Sequence, residues 1–299
     1  MPEPPLVIEQ ISPLPPGDVG LAVLGQPIIH SLSPEMHNAA LLELSRRDSK
    51  FSRWKYFKIE IAPEQLAQAL PRLAELGFRG LNLTIPHKVD VLTILEEIDP
   101  KALVMGAVNT LRFENGYWKG YNTDGEGLSR AIQIAFGKGL NDFNVLVLGA
   151  GGAARAAAVQ CLTEGCQYLA VLNRSADRAQ KMIKALSENG FSNRVELMDH
   201  PRNPFIGRRG KNLIINATSL GLRMDDPTPL DLSLFEETVC VYDMIYNPPV
   251  TKLTKQAKEY RMAYSKGLSM LIGQAVRSLE IWTGQKVSED AMIKAVSSF

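Results

Sequence analysis

Apolar positions along the chain follow two rhythms. Short runs mark strands: Gly20-Leu21-Ala22-Val23-Leu24 within 19–25, the alternating 54–61, and Phe78 to Ile85, closed by Pro86. A proline cannot donate to a sheet ladder, so that third strand should stop there. Between the runs, apolar residues recur three and four apart. Met36, Ala40 and Leu44 form one stripe, and Leu66, Ala69/Leu70 and Leu73 another within 63–76. Ser33 is placed as the N-cap of the first of these helices, with Pro34 at its first position and Glu35 in the first turn. Strand, helix, strand, helix, strand favours a parallel sheet. A helical stretch is expected near 89–104. Asn115-Gly116, set between Leu111/Phe113 and Tyr117/Trp118, is the signature of a two-residue type I′ hairpin.

The same alternation continues. A helix is expected at 126–136, then a buried strand Val145-Leu146-Val147-Leu148 that runs into glycines. Further strands are expected at 168–172, weakly at 194–197, and at 213–219 and 239–248, with a helix at 176–188. A last helix starts near Gly267 with Leu268, Leu271/Ile272, Ala275/Val276, Leu279 and Trp282 on its apolar stripe. The fold class expected from this alternation is α/β with parallel sheets. The first 16 positions hold six prolines (2, 4, 5, 13, 15 and 16), so 1–18 is expected as a loose arm, lying over the surface or disordered.

Composition narrows the function classes. At 299 residues and a net charge of +1, the chain fits two ordinary domains and carries no bias toward nucleic acid. Cys161, Cys166 and Cys240 have no metal spacing and cannot all pair, so reduced thiols in the cytoplasm are expected, and no metal. No secretory signal and no run of membrane-spanning length is seen.

Several polar clusters sit where strands end. Ser31 and Ser33 flank a helix start, which suits a carboxylate or small polyol. Lys88 follows the strand ending at Pro86. Asp124 lies in the polar turn Asn122-Thr123-Asp124-Gly125. The pattern G-x-G-x-x-A at Gly149, Gly151 and Ala154, between a strand and a helix, is a dinucleotide signal. The next strand ends in Asn173-Arg174-Ser175 with Arg178 one turn on. An NAD site wants a carboxylate there, whereas a guanidinium suits a 2′-phosphate, so NADP is favoured over NAD.

Taken in order, Ser31-Leu32-Ser33-Pro34, Asn82-Leu83-Thr84-Ile85-Pro86-His87-Lys88, Ala107-Val108-Asn109-Thr110, Asn122-Thr123-Asp124-Gly125, Gly149 to Ala154, Asn173-Arg174-Ser175, Ala217-Thr218-Ser219, Tyr242-Asp243-Met244-Ile245-Tyr246 and Gly267 with Met270-Leu271 and Gln274 resemble the shikimate dehydrogenase family. The likeness runs from about Val19 to the end. It implies NADPH-dependent reduction of 3-dehydroshikimate to shikimate, in the route to chorismate and aromatic amino acids. It implies Lys88 as proton donor, and base in reverse, with Asp124 holding it. Carried over residue by residue, Ser31 and Ser33 would hold the substrate carboxylate, and Thr84, Asn109, Tyr246 and Gln274 would complete the contacts. The cofactor set would be Gly149, Ala150, Gly151, Gly152 and Ala153, then Asn173, Arg174, Ser175, Ala176, Asp177 and Arg178, with Met244 and Gly267. Ser175 stands where the family usually has threonine and keeps the hydroxyl. His87 is expected to be a bystander.

The resemblance also implies three segments: 1–123, an α/β substrate domain binding shikimate; 124–267, a Rossmann-type doubly wound parallel sheet binding NADP; and 268–299, a C-terminal helix returning to the first. A monomer or homodimer, with no nucleic acid or membrane partner, is expected. Two rivals share the fold. One is an NAD-preferring quinate/shikimate dehydrogenase, against which Arg174 and the paired serines speak. The other is a non-catalytic NADP-binding sensor, against which the presence of both Lys88 and Asp124 speaks.

Overall fold

The structure, a computed structural model, describes residues 4–297. The chain divides into two units, 1–123 with 272–299, and 124–271.

The first unit holds strands β1 (Leu6–Val7), β2 (Val19–Gly25), β3 (Trp54–Glu60), β4 (Phe78–Leu83), β5 (Glu97–Ile98), β6 (Thr110–Glu114) and β7 (Tyr117–Tyr121). Helices α1 (Ser33–Arg47), α2 (Leu66–Glu75), α3 (His87–Asp90) and α4 (Pro100–Met105) connect them. The strand order is β1-β3-β2-β4-β6-β7-β5. β1 to β4 pair in parallel, while β6 runs antiparallel to β4 and β7. The parallel expectation holds for β2, β3 and β4, and the expected hairpin joins the antiparallel strands β6 and β7. Asn115 and Gly116 have φ of 54° and 91°, the pair of positive values that a type I′ turn needs.

Two expectations are corrected. The segment 89–104 is not one helix. Asp99 leaves helical geometry, accepts from the Lys101 N–H at 3.0 Å and starts α4 afresh at Pro100. The proline-rich arm is not loose over its described part, residues 4–18. Leu6 and Val7 pair with Ile59 and Glu60, the Leu14 N–H donates to Leu76 O at 2.9 Å, and Arg53 donates to Asp18 at 2.8 Å. Prolines forbid a regular helix, but they permit an extended segment at a sheet edge. Residues 1–3 lie outside the described residues.

The second unit opens with α5 (Asp124–Phe136) and continues with β8 (Phe143–Leu148), α6 (Gly152–Thr163), β9 (Tyr168–Leu172), α7 (Ala176–Leu186), β10 (Val195–Met198), β11 (Lys211–Asn216), β12 (Cys240–Asp243), α8 (Lys252–Glu259) and β13 (Tyr264–Lys266). All its pairings are parallel, in the order β10-β9-β8-β11-β12-β13. This is the doubly wound order, whose switch point lies between β8 and β11. The sequence reading missed α8 and β13. β13 is short and half polar, so it has no strand rhythm of its own.

Helix α9 (Leu268–Thr283) begins in the second unit and ends in the first, where α10 (Glu289–Val296) follows. Its first residues, through Leu271, belong to the second unit, and the Leu271 N–H closes the first helical turn by donating to Gly267 O at 2.9 Å. Further along, Trp282 Nε1 donates to Leu111 O at 2.9 Å, which fastens the helix to the first sheet. No helix among the described residues is long and apolar enough to cross a membrane.

Candidate active site

Ser31 and Ser33 come from the turn between β2 and α1. The Ser31 N–H donates to Ile28 O at 3.0 Å, and Ser31 Oγ accepts from the Ser33 N–H at 3.3 Å. Ser31 thus meets one orphan donor of the helix. Ser33 is not the cap: it is the first helical residue, and Leu32 at the cap position has no side-chain acceptor. The Ser33 side chain is buried beside the Tyr56 phenol, whose pKa burial pushes well up.

The stretch after β4 turns toward α3. The Thr84 N–H keeps the sheet bond to Leu24 O, and Thr84 O accepts from the His87 N–H, both at 2.9 Å. Lys88 lies in α3, half-buried, and its carbonyl accepts from the Val108 N–H at 2.8 Å. That bond ties the lysine's turn to the residue before Asn109. His87 is fully buried, its Nε2 2.8 Å from Ile61 O, and burial lowers its pKa. The ring is a strut between α3 and the end of β3.

Asn109 is the centre of a buried network in the first unit. Its Oδ1 accepts from the Thr123 N–H at 2.8 Å, which fixes the amide so that Nδ2 donates to Gln274 Oε1 at 3.2 Å. Asn82 supports it from below. Tyr56 donates to Asn82 Oδ1 at 2.8 Å, and Asn82 Nδ2 donates to Asn109 O, Thr110 Oγ1 and Ser278 Oγ at 3.0–3.1 Å. Ser278 Oγ also lies 2.8 Å from Thr110 Oγ1 and donates to Gln274 O at 2.9 Å. Gln274 is buried. Sequence reasoning missed Thr110 and Ser278 as supports. Ser278 stands one turn past Gln274 on the same face, a spacing that gives it away.

In the second unit Asp124 opens α5 and is 4 % exposed. Gly149 follows β8 with φ 114°, and a Cβ there would stand 3.0 Å from Ala217 O, at the switch point. Ala150 is buried and Gly151 exposed, and Gly152 and Ala153 begin α6, which has no side-chain cap. Asn173 Nδ2 donates to Ser175 O at 2.8 Å. Arg174, Ser175, Ala176, Asp177 and Arg178 are all exposed at the end of β9. A Cβ on Gly267 would overlap the Met244 carbonyl, so only glycine fits against that turn. The turn is held by buried Asp243, which accepts from the Ile245 N–H (3.1 Å), Asn216 Nδ2 (2.9 Å) and Thr251 Oγ1 (2.6 Å). Burial raises the Asp243 pKa against those three donors, and it also raises that of Tyr246.

The family models "Shikimate dehydrogenase substrate binding domain", "Shikimate / quinate 5-dehydrogenase" and "Shikimate 5'-dehydrogenase C-terminal domain" match residues 23–111, 131–201 and 267–296. A shikimate dehydrogenase (NADP(+)) of Citrifermentans bemidjiense is 39% identical over 282 residues, 92% of this chain and 93% of its own length. The chain belongs to the shikimate dehydrogenase family. A solved shikimate dehydrogenase in complex with NADP+ is similar at TM-score 0.83 and 32% identity, over 97% of this chain and 98% of its own. The shikimate 5-dehydrogenase of Thermus thermophilus, solved with NADP(H) and shikimate, is similar at TM-score 0.79 and 32% identity, over 94% and 99%. The shikimate dehydrogenase fold thus spans both units described above.

Proposed function

We propose that this chain catalyses the reversible, NADP-dependent interconversion of 3-dehydroshikimate and shikimate, a step toward chorismate and the aromatic amino acids. The observation that carries the reading is the 39% identity to a shikimate dehydrogenase (NADP(+)) across 92% of the chain.

The second unit suits the cofactor. The Gly149 turn at the switch point has room for backbone but not for side chains, and α6 begins without a side-chain acceptor for its first N–H groups. A pyrophosphate is the natural acceptor there. Arg174 and Arg178 are exposed at the end of β9, as a 2′-phosphate requires. Met244 and Gly267 complete the proposed contacts. When bound, NADPH supplies the hydride.

The remaining steps fall to this chain's own side chains. Reduction of the substrate ketone turns its oxygen into an alkoxide, which takes a proton from Lys88, and in reverse Lys88 accepts it. Asp124 orients the lysine. Asn109 and Gln274, already fixed and buried, hold ring hydroxyls with Thr84 and Tyr246. A site that pairs each hydroxyl rejects analogues lacking one. Ser31 and Ser33 hold the carboxylate. The reading includes a cytoplasmic monomer or homodimer, with 124–267 as the cofactor segment and 1–123 with 268–299 as the substrate segment.

Initial rates with shikimate and quinate, each with NADP and NAD, test the proposal. Shikimate with NADP should give the highest kcat/KM, at least about tenfold above NAD. Faster turnover of quinate with NAD would support the rival dehydrogenase, and no turnover of any pair would support a sensor.

A further inference from the structure

One buried charge in the first unit has no place in the roles above. Lys58 lies inside β3 and is 7 % exposed. A buried ammonium is costly unless anions or several acceptors meet it. Its Nζ donates to the Ile29 carbonyl at 2.9 Å. Among the described residues it forms no ion pair: neither Glu35, in the first turn of α1, nor Glu60, on the same face of β3, is bridged to it.

The register of α1 on β3 places this ammonium. Asn38 clamps the two elements, donating to Tyr56 O and accepting from the Tyr56 N–H, both at 2.9 Å. One residue earlier, the His37 ring stacks on the Tyr56 ring with centroids 4.1 Å apart. β2 and β3 are parallel, so the helix joining them runs antiparallel to both. From His37 back to Ser33 the helix axis moves about 6 Å. From Tyr56 on to Lys58, the next residue on that face, the strand moves about 6.6 Å in the same direction. Lys58 therefore stands at the level of Ser33. Ile29, its acceptor, belongs to the turn that delivers Ser31.

We infer that Lys58 is a further recognition residue: its ammonium supplies the positive charge for the substrate carboxylate beside Ser31 and Ser33. The two serines are neutral hydroxyls, and a carboxylate drawn out of water needs a counter-charge as well as donors. The inference rests on the proposed function, since it takes the substrate to be a carboxylate held at those serines.

The test compares wild type with Lys58→Gln, Lys58→Met and Lys58→Arg, on shikimate and on its neutral methyl ester, with NADP. Gln keeps a donor for the Ile29 carbonyl and removes the charge. Met removes both. In the Gln and Met variants kcat/KM for shikimate should fall about tenfold, mainly through KM. The ester's kcat/KM and the KM for NADP should stay within about twofold of wild type, and Arg should restore most of the loss. Equal losses on acid and ester would overturn the inference, leaving Lys58 as a strut for the turn. So would a Gln variant that matches wild type while Met is impaired. Thermal unfolding of each variant checks folding, and if Met does not fold, Gln against Arg decides. Failure of wild type to oxidise shikimate would sink the functional reading instead. Loss of shikimate-induced thermal stabilisation in Lys58→Gln would then still support a carboxylate site, and its retention would refute one.

Discussion

In the first unit a buried hydrogen-bond network joins side chains from β4, the stretch around β6, the end of β7 and α9. In the second, the groups proposed to meet the cofactor are backbone N–H groups of one stretch, Gly149 to Ala153, with exposed side chains at the end of β9. On the proposed reading the substrate would be recognised by side chains that hold one another in place, and the cofactor mainly by backbone left uncovered by side chains, with the arginines after β9 beside it. The difference follows from the ligands. A polyol needs donors and acceptors at fixed angles, while a pyrophosphate needs close approach to a helix start.

The comparison can be broken at its largest effect with Lys88→Ala. Turnover should fall by about 10² to 10⁴, with NADP affinity unchanged by titration. Intact turnover would remove the lysine from the chemistry. Asn109→Ala tests whether the substrate half is a network rather than a set of separate contacts. It removes the acceptor of the buried Thr123 N–H and one of the donors to Gln274 Oε1. Shikimate KM should rise at least about tenfold, and stability should fall by about 1–3 kcal/mol in urea unfolding. A change in KM with no loss of stability would show that the network is not cooperative.

Gly151→Ala is the mirror experiment. Gly151 has φ −83°, and a Cβ there meets nothing within 4 Å, so the protein itself should tolerate alanine. NADP affinity should fall about tenfold by calorimetry while the melting temperature stays put. A lost fold would mean that the glycine serves the chain and not the cofactor.

The smallest effect lies in the first unit's own burial. His37 is fully buried, neither ring nitrogen has a partner among the described residues, and burial pushes its pKa down to about 3. The unfolded chain takes up a proton below its ordinary pKa of about 6.5, and the folded protein does not. Stability is therefore full above that value and falls as pH drops toward 3. Between pH 7 and 6 the loss from His37 should be roughly 0.7 kcal/mol. His87 is shifted in the same direction and adds to it. His37→Phe keeps the stack on Tyr56 and should flatten the slope. An unchanged slope would mean that His37 is not the group taking up the proton.

Legibility in the sequence divides along the same line. The cofactor half can be read locally, because a glycine turn between a strand and a helix is one contiguous pattern and Arg174 ends the next strand. Ser33 was misplaced as the cap because cap chemistry is degenerate among neighbouring hydroxyls, and only the bond from the Ser33 N–H to Ser31 Oγ separates them. That Thr110 and Ser278 are partners of each other was not legible, although Ser278 stands at helical spacing from Gln274. Each is a small polar residue at a position that the apolar rhythm allows, and they meet across 168 positions of chain.

Local sequence pattern was enough for most of the strands and helices, though not α8 or β13, for the hairpin at Asn115-Gly116, the glycine turn and the set of candidate polar residues. Short-range sterics and burial periodicity fix these, and both act within a few residues. Only the tertiary structure decided that the first sheet is mixed, that the proline-rich segment adds an edge strand, and that Gln274 is buried against Asn109. It also set Lys58 at the level of Ser33. These depend on which distant segments share a core, where an unpaired polar group is too costly to leave without a partner.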